Sequence, residues 1–465
     1  MRVKASYKLL TSGIAEPTQG WFSAFYPDGS IYIFVGTASH LWVGIGSSFS
    51  ENAGGQVFTG GSNLWTFAIV GSTVIATNGH DSVQAVTTEG GQFSALGGNP
   101  PIASIVSNAD PGGTGFFAFL FNLQSNPQGW ACSGAGQPNS WPLDVSNLSA
   151  TGTLGLTPGS VTAATPLRGG SVAFKANSFY YGQFVGAPFV WQFVLVSPSQ
   201  GVAGPYAYAN AGDAVYFVGN DNIYSFDGFS LSVVPNALAE WLVNETLDNN
   251  HAGNIVGSYD SANDIVSFYF PSKQASPAGT LDTLIMWCRR SGHWCVDHVV
   301  TQGALQANIA AVPAATYTTM TTIFPTYASI LLGTTYAILA PTASRNSATG
   351  VFLPDNNLYT ATGPVRQINT YFTTSDIGHP ERITSLFRSR LNWSLIALDS
   401  NIRLVGLGKD LEGQPPFLIT TSSSMGPRGF FDFRQTARWN NLQFFLAGDC
   451  EVTGYEVLIA DAGVQ

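Results

Sequence analysis

The chain has 465 residues, of which only 10% are charged and 13% aromatic, with 51 glycines and 25 prolines; such a composition excludes disorder and suits a strand-and-turn protein able to bury a sizeable core. The formal charge of −10 comes from 18 basic and 28 acidic residues. No Lys or Arg stands between Lys8 and Arg168, so solubility rests on Ser, Thr, Asn and Gln or on partner subunits that cover the surface.

In chain order, Met1-Arg2-Val3-Lys4 is positively charged but no long apolar run follows it, so no export signal is expected and assembly in a cytoplasm is. Ile31 to Val35 and Leu41 to Val43 flank Gly36 to His40 as a first hairpin. The most apolar stretch, Phe184 to Val196, is interrupted by Gln192 and falls short of the roughly 20 residues that span a bilayer, so no membrane insertion is expected. Ala214 to Val218 and Ile223 to Phe226 flank Gly219-Asn220-Asp221-Asn222, residues tolerant of positive φ, as a second hairpin. Ala237 to Leu247 reads as a helix, with Leu238, Trp241 and Leu242 on one face and Asn236 placed to cap it. A third hairpin, Leu284 to Trp287 and His293 to Val296, surrounds Arg289 to Gly292.

Hairpins in such a series suggest blades. No strict repeat of about 40 to 50 residues is visible, which excludes a propeller with a fixed repeat signature and leaves divergent blades. Ala304 to Thr362 is rich in Ala, Thr and Pro and carries only Arg345 and Asp355 as charges. A domain boundary is therefore expected near residue 360, between residues 1–360 and a smaller, more Arg-rich β domain over 361–465, the latter a candidate for closing the propeller.

Few constellations point to chemistry. Cys132, Cys288, Cys295 and Cys450 are too scattered for a disulfide framework. Cys288, His293, Cys295 and His298 are zinc-ligand types, but a four-residue loop over Arg289 to Gly292 sets Cys288 opposite His293 and Cys295 opposite Met286, so no metal is expected. Asp227 and Asp260 sit in incomplete Asp-box-like turns and read as turn residues. No Gly-x-Ser-x-Gly elbow, phosphate-binding loop or His-Glu-x-x-His helix occurs, and the chain is expected to be no enzyme and to hold no cofactor. Arg382, Arg388, Arg390, Arg428, Arg434 and Arg438 form a basic group that either contacts DNA phosphates or bridges to neighbouring chains.

Several segments occur in a telling order: Leu64-Trp65-Thr66-Phe67; Val74 to Asp81 with its Thr77-Asn78-Gly79 loop, then Gln84; Phe93 to Leu96 before Pro100-Pro101; Trp130-Ala131-Cys132; and Trp141-Pro142. Then come Val215 to Val218 leading to Tyr224-Ser225-Phe226-Asp227-Gly228, Gly257 to Asp260, Ile265 to Pro271, Trp287, Gly292-His293-Trp294, and Phe431 to Trp439. This order resembles the podovirus tail nozzle family, also called packaged-DNA stabilisation or tail tubular protein B. The resemblance covers about half the chain; its charge-poor first third departs from the family.

The resemblance implies an all-β virion protein whose propeller, of about six blades, assembles as a hexameric ring below the head-to-tail adaptor, retains packaged DNA and conducts it during ejection. Its implied partners are the adaptor, a tail fibre or tailspike, needle or plug proteins, and double-stranded DNA in transit. The charge distribution, with a basic-poor first third and a net charge of −10, leads to the expectation that the Arg group turns to subunit or adaptor contacts and not to the DNA path. The alternative is a carbohydrate-active propeller, a glycan-cleaving depolymerase or a lectin in host recognition, and a third reading is a monomeric scaffold propeller.

Overall fold

In the computed structural model the described residues are 6–14, 16–26, 31–45, 48–88, 91–144, 146–235, 242, 246–261, 264–307, 335–341, 349–355, 370–374, 377–378, 384–396, 401–409, 417–426, 430–447 and 450–461. They divide between one unit over 9–353 and another formed by 1–8 with 354–465.

Short apolar stretches punctuated by Gly, Asn and Asp fold as antiparallel hairpins throughout the larger unit. After β1 (Ser6–Ile14), the chain lays down six successive groups of four strands. They are β2 (Gly20–Phe25), β3 (Ile31–Gly36), β4 (Leu41–Ile45) and β5 (Ser48–Glu51); β6 (Thr66–Val70), β7 (Thr73–Thr77), β8 (Gln84–Val86) and β9 (Ser94–Ala95); and β10 (Ala103–Ala109), β11 (Phe117–Leu123), β12 (Asn126–Cys132) and β13 (Ala150–Thr153). Next come β14 (Val161–Leu167), β15 (Gly170–Lys175), β16 (Phe179–Gly186) and β17 (Val190–Ser197); β18 (Tyr208–Asn210), β19 (Val215–Val218), β20 (Ile223–Phe226) and β21 (Leu231–Val233); and β22 (Val256–Asp260), β23 (Ile265–Pro271), β24 (Leu281–Cys288) and β25 (Trp294–Thr301). Then β26 (Gly303–Ala307), β27 (Thr335–Pro341) and β28 (Thr349–Asp355) pair in order, and β1 lies beside β28 as their fourth strand.

The architecture is a β-propeller, and the count of about six blades is corrected to seven. The first strands of successive groups, from β2 through β26, neighbour one another in a closed ring; in or just before them, Trp65 N–H donates to Gln19 O at 2.8 Å, Asn108 Nδ2 to Ile69 O at 3.0 Å, Asn210 Nδ2 to Pro166 O at 2.6 Å, and Gly257 N–H to Tyr206 O at 2.7 Å. The ring shuts where Trp21 Nε1 donates to Ala304 O at 2.7 Å, joining β2 to β26. The seventh blade escapes a sequence count because β1 supplies its outermost strand from the opposite end of the unit.

Buried aromatic and aliphatic side chains fill the spaces between neighbouring blades. Trp191 of the fourth blade, for example, meets Phe119 of the third edge to face, with centroids 4.9 Å apart at 80°. The three expected hairpins form as β3–β4, β19–β20 and β24–β25, and in the last Met286 lies opposite Cys295. The helix expected over Ala237–Leu247 falls mostly outside the described residues. No helix among the described residues is long and apolar enough to cross a membrane.

In the second unit, β29 (Thr370–Thr373), β30 (Ile377–Gly378), β31 (Thr384–Ile396), β32 (Asn401–Lys409), β33 (Phe417–Ser424), β34 (Phe430–Ala437), β35 (Trp439–Ala447) and β36 (Cys450–Asp461) make two sheets. One runs β29-β35-β32-β33 with β30 also on β35; the other runs β34-β31-β36. Leu386, Leu391 and Phe431 from the second sheet pack on Leu404, Leu442 and Phe444 from the first, as a small sandwich.

Candidate interaction surface

Strict alternation in β34 buries Phe431 and Phe433 and turns Asp432 and Arg434 outward. β31 pairs with it so that Arg388 lies opposite Asp432 and Arg390 opposite Phe430, with a bulge between Leu386 and Arg388 that leaves Phe387 exposed as well. Arg388, Arg390 and Arg434, well apart in sequence, therefore share the outer face of the three-stranded sheet.

Each guanidinium on this face rests on an aromatic ring. Arg388 and Arg390 lie 5.1 and 5.4 Å from the centroid of Phe430, and Arg434 lies 5.7 Å from that of Phe387. Arg388 Nε also donates to Asp432 Oδ1 at 2.5 Å; both partners are exposed, so the pair itself contributes at most about 1 kcal/mol. Arg390 and Arg434 have no carboxylate within salt-bridge reach among the described residues. β36 adds Leu458, 60% exposed, opposite Arg388, and Glu456, whose Oε1 accepts from Asn392 Nδ2, opposite Arg390. Guanidinium groups placed over aromatic rings beside the exposed Leu458 suit a protein partner, since Arg and large apolar residues are what interfaces concentrate.

Arg438 stands between β34 and β35, half-buried, and Arg382 and Arg428 lie outside the described residues. Arg403, on the other sheet, was absent from the expected group and stacks on Phe445 at 4.5 Å. Phe387, Phe430 and Leu458 were missed too, although the alternation of β34 was a usable signal for which residues share the outer face.

In the larger unit the innermost strands line an open axial cavity of about 380 Å³ with no charged side chain among its described lining residues. The rings of Trp21 and Tyr206 stack in its wall at 4.8 Å, and the Tyr206 hydroxyl donates to Trp65 O. Burial raises the Tyr206 phenol and pushes that of Tyr208 up to about 12. The Ser23 and Ser258 hydroxyls, both in the lining, are buried without a partner among the described residues.

The turn aspartates are held by backbone. Asp227 Oδ1 accepts from Phe229 N–H at 2.9 Å and Ser230 N–H at 2.8 Å around Gly228, whose φ of +94° favours glycine. Asp260 is buried at the end of β22. No three His, Cys, Asp or Glu side chains gather as metal ligands among the described residues; the His298 side chain lies outside them.

No known family and no curated protein matches the chain. Among solved structures, it is similar to a fungal alcohol oxidase of the AA5 family in complex with copper, at 8% identity and a TM-score of 0.48 over 99% of this chain and 97% of that one. It is also similar to the WD40 domain of Pan2 from Neurospora crassa, at 9% identity and a TM-score of 0.46 over 77% of this chain and 98% of that one. Likeness at this level extends to fold alone. The expectation that the chain is no enzyme is nevertheless corrected: one of the structures similar to it is an oxidase, and missing sequence motifs do not exclude catalysis on this architecture.

Proposed function

We propose that this chain is a subunit of the tail nozzle of a short-tailed bacteriophage: six copies form a ring below the head-to-tail adaptor, retain packaged DNA and conduct it during ejection, in contact with tail fibre or tailspike and needle or plug proteins. The observation that carries the reading is a segregation of charge. Residues 9–353 hold 17 acidic against six basic side chains, whereas 1–8 and 354–465 together hold 11 acidic against 12 basic. An acidic, sparsely charged wall does not grip phosphates and lets a duplex slide, while arginines gathered on a sheet face that also bears Leu458 fit contacts with protein.

Large side chains such as Trp21, Phe67, Tyr206 and Tyr208 line the axial cavity of about 380 Å³ and leave no bore for a duplex, so the DNA path in this reading lies between subunits and not along a propeller axis. A ring of this kind needs a heterologous contact, one face of each copy meeting a different face of the next. Electron microscopy of the particles that contain the chain tests the reading. A sixfold layer under the adaptor supports it; threefold or twelvefold order at that layer, or the chain's absence from virions, overturns it.

A further inference from the structure

A blade's outermost strand has one free edge, and folded proteins blunt such edges by keeping them short, charged or covered, because unpaired main-chain N–H and C=O groups recruit other strands. Six of the seven blades follow that rule. β9, β13 and β21 have two, four and three residues. β5 is covered, since β1 pairs with it in parallel with Ser12 beside Ser48, and β1 is thereby enclosed between β28 and β5. β25 is long but carries Asp297.

β17 breaks the rule. It has eight residues, Val-Trp-Gln-Phe-Val-Leu-Val-Ser, with no charge, no Pro and no Gly, and among the described residues its one ladder is with β16. Gln192 and Val194 are exposed on it, and the adjoining hairpin end presents Phe189, 78% exposed, and Val185. The surroundings are neutral as well: no charged residue occurs between Lys175 and Asp213.

We propose that the β17 edge receives an extended strand from a second copy of this chain, continuing the fourth blade's sheet across the contact. Two acidic propellers repel over most of their surfaces, and a neutral blade is where they approach at least electrostatic cost. The β1–β5 pairing shows that an outermost strand of this propeller already accepts a further strand. The inference names the contact within the ring proposed above and rests on that reading for its choice of partner.

Sedimentation velocity of the purified chain over a concentration series, with hydrogen exchange on the same samples, tests it. The expected result is self-association in which β17 amides become protected. V194K and, separately, V194E should weaken it by at least about tenfold while leaving the thermal melt of the monomer unchanged, because a charge at the edge blunts strand addition. A chain that stays monomeric at every concentration, either variant associating like the wild type, or assembled chains whose β17 amides exchange like exposed loops, overturns the proposal. The ring reading fails differently: association through β17 persists, but electron microscopy shows no sixfold ring.

Discussion

Asp81 shows how a single side chain ties a sequence motif to the fold. It ends Asn78-Gly79-His80-Asp81, where Gly79 has φ of +78° and a Cβ would come within 2.3 Å of Ser104 Oγ. Its carboxylate accepts from Thr59 Oγ1 at 2.9 Å, Gly60 N–H at 3.0 Å and Asn78 Nδ2 at 2.7 Å. Burial alone would raise this carboxyl, but hydrogen bonds from Asn78, Thr59 and Gly60 outweigh it and hold the group below its ordinary 3.8. The unfolded chain then binds the proton more readily, so the stabilisation is fully present above 3.8 and is lost as pH falls through the lower folded value. Asp81→Ala should cost about 1–3 kcal/mol at neutral pH. Asp81→Asn should flatten the acid limb of stability in urea melts run between about pH 7 and pH 3; an unchanged acid limb would show that other carboxylates set it.

Lys175 is the second case at this scale. Its ammonium is buried, donates to Leu154 O at 2.7 Å and Thr157 O at 2.6 Å, and lies 5.6 Å from the Tyr180 centroid. Lys175→Met keeps the volume but takes the donor from Thr157 O and leaves Leu154 O with only the long contact from the Tyr180 hydroxyl at 3.5 Å. A loss of about 2–3 kcal/mol in chemical denaturation is expected, and no loss would mean that water enters to replace the ammonium.

Among elements, β1 bears most on the closure of the propeller. It is the fourth strand of the blade built from β26, β27 and β28 and also pairs with β5 of the first blade. Removing residues 1–14 should therefore lower the melting temperature and make the seventh blade the first site of limited proteolysis, with the cleavage points read by mass spectrometry. The other blades are held by local hairpins plus pins such as Asn210, whose Nδ2 reaches Thr165 Oγ1 at 2.9 Å and Pro166 O at 2.6 Å. Asn210→Ala should cost about 1–2 kcal/mol without opening the ring. A melt as low as that of the truncated chain would place closure at the β14–β18 contact.

At the scale of the molecule, charge makes the prediction. With a formal charge of −10 and only six basic residues over 9–353, the purified protein should bind double-stranded DNA weakly near physiological salt. Tight binding that falls steeply with salt, as when about 6–10 phosphates are neutralised, and that is abolished by replacing Arg388, Arg390, Arg434 and Arg438, would put those arginines on the DNA and reject the assignment of that face to protein contacts. Competition between a salt titration in fluorescence anisotropy and the same titration on the quadruple variant separates the two.

By itself the sequence determined whatever is settled by neighbours along the chain. Strand character, the hairpins β3–β4, β19–β20 and β24–β25, and the opposition of Met286 and Cys295 follow from side-chain period and turn length, which act over a few residues. The alternation that turns Asp432 and Arg434 to one face of β34 was equally legible. Only the tertiary structure decided what depends on strands distant in sequence: that β1 completes a seventh blade, that Arg388 meets Asp432 across the β31–β34 pair, and that β17 keeps an open edge among the described residues. The physical reason is that pairing between distant strands is selected by burial of whole sheet faces and by loop closure, and neither leaves a mark at any one position of the chain.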